Sequence, residues 1–383
     1  MMRPMKLGGS EIIFGKGSLA HLESLKAEKA VIVLSSQTMY KNGIMKIVEE
    51  HLEKAHIDFS VYIGVEPDPS YETVLKGAEY MLKEKPDLII ALGGGSVMDA
   101  AKAMWIFYEH PEVPSLEYLT DKTRFPKLRA KARMVCIPST AGTASEVSRS
   151  IVITDNGIKY GIGNMEMVPD VAILDPEVTV SMPKHLTAET GMDALCHAIE
   201  AFVSTRANYV SDILAKQAVR DIFAYLPRAY KEGENLGYRE IMLNASMIAG
   251  LAFTNVSLGI THSIAHALGS LCKLPHGLAN ALLLPYVVAF NSRNEEASKK
   301  YRQLAAEISE NNFVSALFSL NQSLDLPIAL KEILPDENDF LSKLDNIVDL
   351  ACNDGCTKTN PIIPSKEEFK EIILDSYYGR VGK

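Results

Sequence analysis

The chain is short of cysteine, of long apolar runs and of positive charge, and each shortage removes a class of protein. Its five cysteines (Cys136, Cys196, Cys272, Cys352, Cys356) are an odd, scattered set without a CxxC pair. They read as free thiols in a reducing compartment, not as a disulfide framework. No apolar run approaches the roughly eighteen residues of a membrane span. The N-terminal stretch MMRPMKLGGSEIIFGKG has no apolar core of signal-peptide length and no small-residue cleavage pattern. A cytoplasmic protein without a membrane partner is therefore expected. A net charge of −9 argues against nucleic acid, because phosphate binding needs a basic surface. Neither an internal repeat nor a low-complexity tract is present. What remains is 383 residues, 47% hydrophobic and 23% charged, enough for two ordinary globular domains.

The two halves have different patterns. Up to about residue 182, runs rich in Val, Ile and Leu (29–35, 58–64, 87–93, 132–138, 150–155 and 170–176) alternate with helical spacing at 39–55 and 70–85. Near-continuous apolar strands signal burial on both faces, as in a doubly wound, mostly parallel α/β sheet. Beyond Pro183 the strands give way to helices at 187–204, 208–226, 237–254, 258–271 and 277–291, then to a more polar tail. The expected boundary lies in DPEVTVSMP (175–183), giving an α/β domain, 1–182, and an all-helical domain, 183–383.

Chemistry concentrates in both halves. GMDALCHAIE (191–200), ITHSIAHALG (260–269) and LPHGLANA (274–281) hold Asp193 and four of the nine histidines: His197, His262, His266 and His276. Asp193 and His197 are four apart, as are His262 and His266, so each pair shares a helix face. Their apolar neighbours imply burial, and a buried Asp and His need partners. A divalent metal satisfies them together. The two-histidine spacing at 262–266 is that of a zinc protease, but Ser263 stands where the general-base Glu would be, so peptide hydrolysis is disfavoured.

In the α/β half, LIIALGGGSVMDAAK (88–102) runs strand, glycine turn, helix. Its glycines allow positive φ and close backbone approach, and the helix N-terminus offers N–H groups to a phosphate. The spacing is not GxGxxG. Pro138-Ser139-Thr140-Ala141-Gly142-Thr143-Ala144-Ser145-Glu146 is a second loop, dense in hydroxyls, after another buried strand. Either loop also reads as a plain turn and helix cap. Two of them in one domain favour a nucleotide. A ligand touching the loops and the metal would sit in a cleft between the domains.

These motifs, in this order, resemble those of the iron-containing (group III) alcohol dehydrogenases, most closely the butanol dehydrogenase-type enzymes of fermentative bacteria. The likeness extends through EIIFGKGSL (11–19), GVEPDPS (64–70), PDVAILDPE (169–177), LLLPYVVAFN (282–291) and CTKTNP (356–361), and so covers nearly the whole chain. The resemblance implies Asp193, His197, His262 and His276 as ligands of Fe(2+) or Zn(2+). It implies His266 as a non-ligand near the nicotinamide, either relaying a proton or orienting a ligand. It places Gly94, Gly95, Ser96, Asp99, Ser139, Thr140, Thr143 and Lys159 at the cofactor, and Phe253 and Cys356 at the substrate pocket. The activity implied is hydride transfer between NAD(H) or NADP(H) and a small aliphatic alcohol or aldehyde, in a homodimer or larger homo-oligomer. Two positions depart from the pattern. Ser36 stands where NAD-strict members carry the Asp that binds the ribose 2′-hydroxyl, which implies tolerance of NADP(H). Ile362 stands where many members have Arg. A polyol dehydrogenase or a dehydroquinate synthase-like lyase on the same frame would need basic residues that the helices around Asp193 and His262 lack. A non-catalytic nucleotide or metal carrier is the remaining alternative.

Overall fold

The computed structural model describes residues 5–380. The chain forms two compact units, one running to Met182 and including Glu234–Met247, the other comprising Pro183–Gly233 and the chain from Ile248 onward. The 234–247 segment departs from the single cut expected at residue 182, because one long helix begins in the first unit and ends in the second.

The first unit contains β1 (Glu11–Phe14), β2 (Lys29–Leu34), α1 (Thr38–Lys41), α2 (Ile44–Lys54), β3 (Asp58–Ile63), α3 (Tyr71–Glu84), β4 (Leu88–Gly93), α4 (Gly95–Glu109), α5 (Leu116–Thr120), β5 (Arg133–Pro138), β6 (Ser150–Asp155), β7 (Ile158–Gly163), β8 (Val171–Leu174) and α6 (Pro176–Thr179). Six strands make a parallel sheet in the order β1-β8-β5-β4-β2-β3. Alternate residues of each strand feed opposite cores. Ile32, Leu34, Ile90 and Leu92 meet Met45, Val48 and Leu52 of α2. Val31, Val33, Ile89 and Ala91 meet α3 and the nearly all-apolar α4. The sheet is therefore doubly wound, with α2 on one face and α3 and α4 on the other.

Three details differ from the sequence expectation. The 150–155 strand, β6, pairs antiparallel with β7 in a separate hairpin. Its turn is Asn156-Gly157, with φ of 48° and 80°, the positive pair that a tight two-residue hairpin requires. The 39–55 helix is two pieces, α1 and α2, broken where Gly43 takes φ 81°. Finally, β1 is a four-residue edge strand, too short and too exposed to show in the apolar pattern.

The helices that follow are α7 (Lys184–Val203), α8 (Tyr209–Lys231), α9 (Leu236–Val256), α10 (Ile260–Cys272), α11 (His276–Asn291), α12 (Glu295–Glu307), α13 (Phe313–Ser323), α14 (Glu337–Asn353) and α15 (Lys366–Tyr378). Of these, α9 is the one that starts in the first unit. In the second unit α7 is buried along nearly its whole length, its polar Asp193, His197 and Glu200 included. Ile264 and Leu268 of α10 share a core with Leu283 and Val287 of α11 and Leu344 and Ile347 of α14. The polar tail folds as α12–α15, opened by side-chain caps from Asn294, Asn312, Asp336 and Ser365. Among the described residues no single helix is long and apolar enough to cross a membrane.

Candidate metal centre and nucleotide loops

In the second unit, α7 presents Asp193 and His197 from successive turns, α10 presents His262, and α11 begins at His276. Their side chains converge. Asp193 Oδ1 lies 3.9 Å from His197 Nε2, 3.6 Å from His262 Nε2 and 3.5 Å from His276 Nε2. A tetrahedral ion with ligand bonds of about 2.1 Å requires ligand atoms about 3.4 Å apart. Asp193, His262 and His276 form a close-set group that fits such an ion, with His197 the most distant from Asp193, and a carboxylate with imidazoles suits iron(II) or zinc.

A further observation supports the fit. The Asn280 side chain, one turn after His276, puts its amide nitrogen 2.7 Å from Asp193 Oδ1, 3.1 Å from His276 Nε2 and 3.3 Å from His262 Nε2. Its own Oδ1 is buried without a hydrogen-bond partner. An N–H donor thus lies among the same three atoms that would share a cation. Charge points the same way. Burial alone would raise the Asp193 carboxyl, but His197, His276 and His262 outweigh it and hold the group far below the usual carboxylate range. Desolvation pushes His276 down to about 3 despite the pull of Asp193. An ionised carboxylate and neutral imidazole are the forms that ligate a metal. Burial would lower His262 too, but its neighbours, Glu200 and Asp193 among them, hold it well above its ordinary value, so this ring gives up a proton when an ion binds.

Three groups flank this cluster. The Phe253 ring stacks on His197, centroids 4.4 Å apart. His266 stacks on His276 at 5.3 Å, but its Nδ1 is 2.8 Å from Asp354 Oδ2. Asp354 Oδ1 in turn accepts the Cys356 N–H at 2.7 Å. Burial would raise the Asp354 carboxyl, and the His266 hydrogen bond and charge instead hold it below its ordinary range. Burial and Asp354 together push the Cys356 thiol well up. Because an ionised carboxylate only accepts, the His266–Asp354 hydrogen bond is donated by His266 Nδ1–H, leaving Nε2 as the nitrogen free to face other groups.

The nucleotide candidates gather in the first unit, at the carboxyl ends of β2, β4 and β5. Val33 pairs with Ala91, and Gly93 with Pro138. The Ser139 N–H also donates to the Gly93 carbonyl at 2.9 Å, so Gly94 and Ser139 follow adjacent strand ends, and Ser36 follows the end of β2. Between β2 and β4 the chain changes direction: β2 leads outward through α2, β4 inward through α4 on the opposite face. Such a switch point is where open α/β sheets bind ligands.

The glycines there serve packing and not positive φ; none of Gly93, Gly94 and Gly95 adopts it. A Cβ on Gly95 would lie 2.6 Å from Thr143 Cγ2, and one on Gly94 3.3 Å from Thr140. The glycine turn and the hydroxyl loop are therefore in contact, backbone to side chain. Asp99 uses both carboxylate oxygens within the protein, accepting from Ser145 Oγ at 2.6 Å and from Val152 N at 2.9 Å. The fully buried Lys102 donates to Ser145 Oγ and to the Ser148 carbonyl, each at 2.9 Å. These bonds hold the hydroxyl loop against α4. Ser36 is exposed and bonds to Thr38. Lys159 lies apart from the loops' hydrogen bonds, on β7, paired with Asp68 at 2.9 Å.

Comparison with known proteins follows this division. Models of iron-containing alcohol dehydrogenases match residues 9–176, and those of the family's C-terminal part match residues 187–377. The chain belongs to the iron-containing alcohol dehydrogenase family. It is 45% identical over 380 residues to an NADPH-dependent butanol dehydrogenase of Clostridium saccharobutylicum, across 96% of this chain and 97% of that protein. The iron-containing alcohol dehydrogenase of Thermococcus thioreducens superposes with a TM-score of 0.92 at 34% identity, covering 98% of this chain and all of that one. The sulfoacetaldehyde reductase of Bifidobacterium kashiwanohense, solved in complex with NAD+, gives 0.86 at 27% identity, covering 98% of each.

Within this iron-containing alcohol dehydrogenase, sequence reading missed Asn280, Asp354 and Lys102. Asn280 stands four residues after His276, so helical spacing would have found it. Asp354 reaches His266 across 88 residues of chain, and Lys102 reaches the Ser148 carbonyl across 46; local pattern shows neither. Ile362 packs its side chain against the helical core.

Proposed function

We propose that the protein is a metal-dependent alcohol dehydrogenase and aldehyde reductase, moving a hydride between NADP(H) or NAD(H) and small aliphatic primary alcohols or aldehydes. The observation that carries this reading is the convergence of His262, His276 and, a little farther off, His197 on Asp193 Oδ1. These four residues would hold Fe(2+) or Zn(2+), whose chemistry there is Lewis acidity toward the alcohol or carbonyl oxygen.

The other residues bind, orient and move protons. The N-terminus of α4, with the free N–H groups of Gly95 and Ser96, offers a pyrophosphate site, and Ser139, Thr140 and Thr143 supply hydroxyl donors beside it. Asp99 and Lys102 keep that loop in place. Phe253 and Cys356 present apolar surface to an aliphatic chain, and the high thiol pKa keeps Cys356 neutral. His266, with its proton fixed on Nδ1 by Asp354, can take a proton from the substrate hydroxyl at Nε2. Ser36 leaves no carboxylate to repel a 2′-phosphate, which agrees with the NADPH dependence named for the Clostridium relative.

The test is an anaerobic assay of NADPH and NADH oxidation with butyraldehyde, before and after chelation and after adding Fe(2+) or Zn(2+). Metal-dependent turnover, at least as good with NADPH as with NADH, is expected. Cofactor binding without turnover at any metal loading would instead mark a carrier protein.

A further inference from the structure

Glu200 lies on α7, two turns beyond Asp193, and is 3% exposed. Its Oε2 is 2.6 Å from His262 Nδ1, while Oε1 accepts the Thr261 N–H at 2.8 Å. Both contacts are with the first turn of α10. That helix has Gly259 at its N-cap and hence no capping side chain of its own. The glycine is what admits the carboxylate: a Cβ there would stand 2.9 Å from Glu200 Oε1 and 2.7 Å from Asn360 Oδ1. One buried carboxylate from α7 thus satisfies a helix N-terminus and a histidine ring together.

The chemical consequence falls on His262. An ionised carboxylate has no proton to give, so the proton of this hydrogen bond belongs to His262 Nδ1. Nε2, the atom 3.6 Å from Asp193 Oδ1, is then the ring nitrogen left to ligate an ion. Cys196 Sγ, 3.7 Å from the same Nδ1, makes only a long sulfur contact beside the 2.6 Å bond to Glu200.

We propose that Glu200 is a positioning residue of the metal centre: it sets the tautomer and ring orientation of His262 without touching the ion. The proposal rests on the metal reading above. Carboxylate partners of ligating histidines commonly matter 10–100-fold in metal affinity. Gln at this position cannot replace Glu. It brings one acceptor and one NH2 group to a place where two N–H donors must be accepted, and an NH2 facing Nδ1 favours the opposite tautomer, with the proton on Nε2.

The experiment uses the full chain, stripped of metal and titrated with Zn(2+) against a chromophoric chelator. We expect one tight equivalent for the unaltered protein and an affinity about 10–100-fold weaker for Glu200→Gln. In 15N-histidine-labelled metal-free protein, the hydrogen-bonded Nδ1–H signal of His262, whose ring the two carboxylates hold well above its ordinary pKa, should be lost in Glu200→Gln. A purely capping Glu200 would lower the melting temperature and leave affinity and that signal unchanged, and that result overturns the proposal. If Glu200→Gln does not fold, Glu200→Asp, which keeps the charge but shortens its reach, is read by the same two measurements. An unaltered protein that binds no Zn(2+) overturns the metal reading itself, and is distinguished by the first titration alone.

Discussion

His266 and His276 stack ring on ring, yet their nitrogens face different partners: Asp354 for one, the Asp193 cluster for the other. That division gives a test of each role. His266→Ala should keep one equivalent of metal, by elemental analysis, while kcat falls about 10²-fold, a usual loss for a group that transfers protons. Full kcat across the pH range would remove His266 from the chemistry. Ser36 gives a second residue-level test. Ser36→Asp restores a carboxylate that can accept from a ribose 2′-hydroxyl and repel a 2′-phosphate. The NADH-to-NADPH ratio of kcat/KM should rise at least about tenfold; an unchanged ratio would place specificity elsewhere. The histidines themselves were legible because they recur at helical spacing with apolar neighbours. Their carboxylate partners were not: an isolated Asp354 in a polar tail looks like any solvated residue until the fold brings α10 beside it.

At the scale of elements, the glycine turn and the hydroxyl loop act as one piece. Gly95→Ala would force a methyl against Thr143, and overpacking of this kind costs about 1–3 kcal/mol. Cofactor KM should therefore rise while metal content stays at the level of the unaltered protein. The sequence identified both loops but misjudged the glycines, whose task is to let the loops touch. Contact between segments some fifty residues apart leaves no trace in local pattern. The same loop carries a pH signature. Glu146 is fully buried, its Oε1 lacks a hydrogen-bond partner, and burial raises its pKa to about 7 against the pull of its own backbone N–H and Lys102. The folded state therefore prefers the protonated acid. Its contribution is intact below the unfolded value near 4.5 and is lost as pH rises through about 7. Glu146→Gln removes that titration. It should stabilise the protein by roughly 2–4 kcal/mol at pH 8 relative to pH 5. Melting curves at the two pH values check this, and parallel pH profiles for the variant and the unaltered protein would contradict it.

At the scale of the molecule, the alternation of buried strands and helices, and then the run of helices, was readable because burial on both faces leaves continuous apolar runs. The inclusion of 234–247 in the first unit was not, since nothing in the sequence of a continuous helix marks where its packing partners change. The second unit carries a consequence of its own. An ion bound by residues of α7, α10 and α11 ties those helices together, and any ligand specific to the folded state stabilises it by mass action. Saturation at a hundred times the dissociation constant adds about 2.7 kcal/mol. Chelation should accordingly lower the melting temperature, and restored Zn(2+) should raise it in proportion to the logarithm of its free concentration.

The most direct test of the central claim is to follow butyraldehyde-dependent NADPH oxidation while Fe(2+) is added, without oxygen, to the metal-free protein. The geometry of Asp193, His197, His262 and His276 predicts activity rising linearly to one equivalent per chain and then levelling, with no rise in Asp193→Ala. Full activity before any metal is added, or an equal rise in Asp193→Ala, would contradict it.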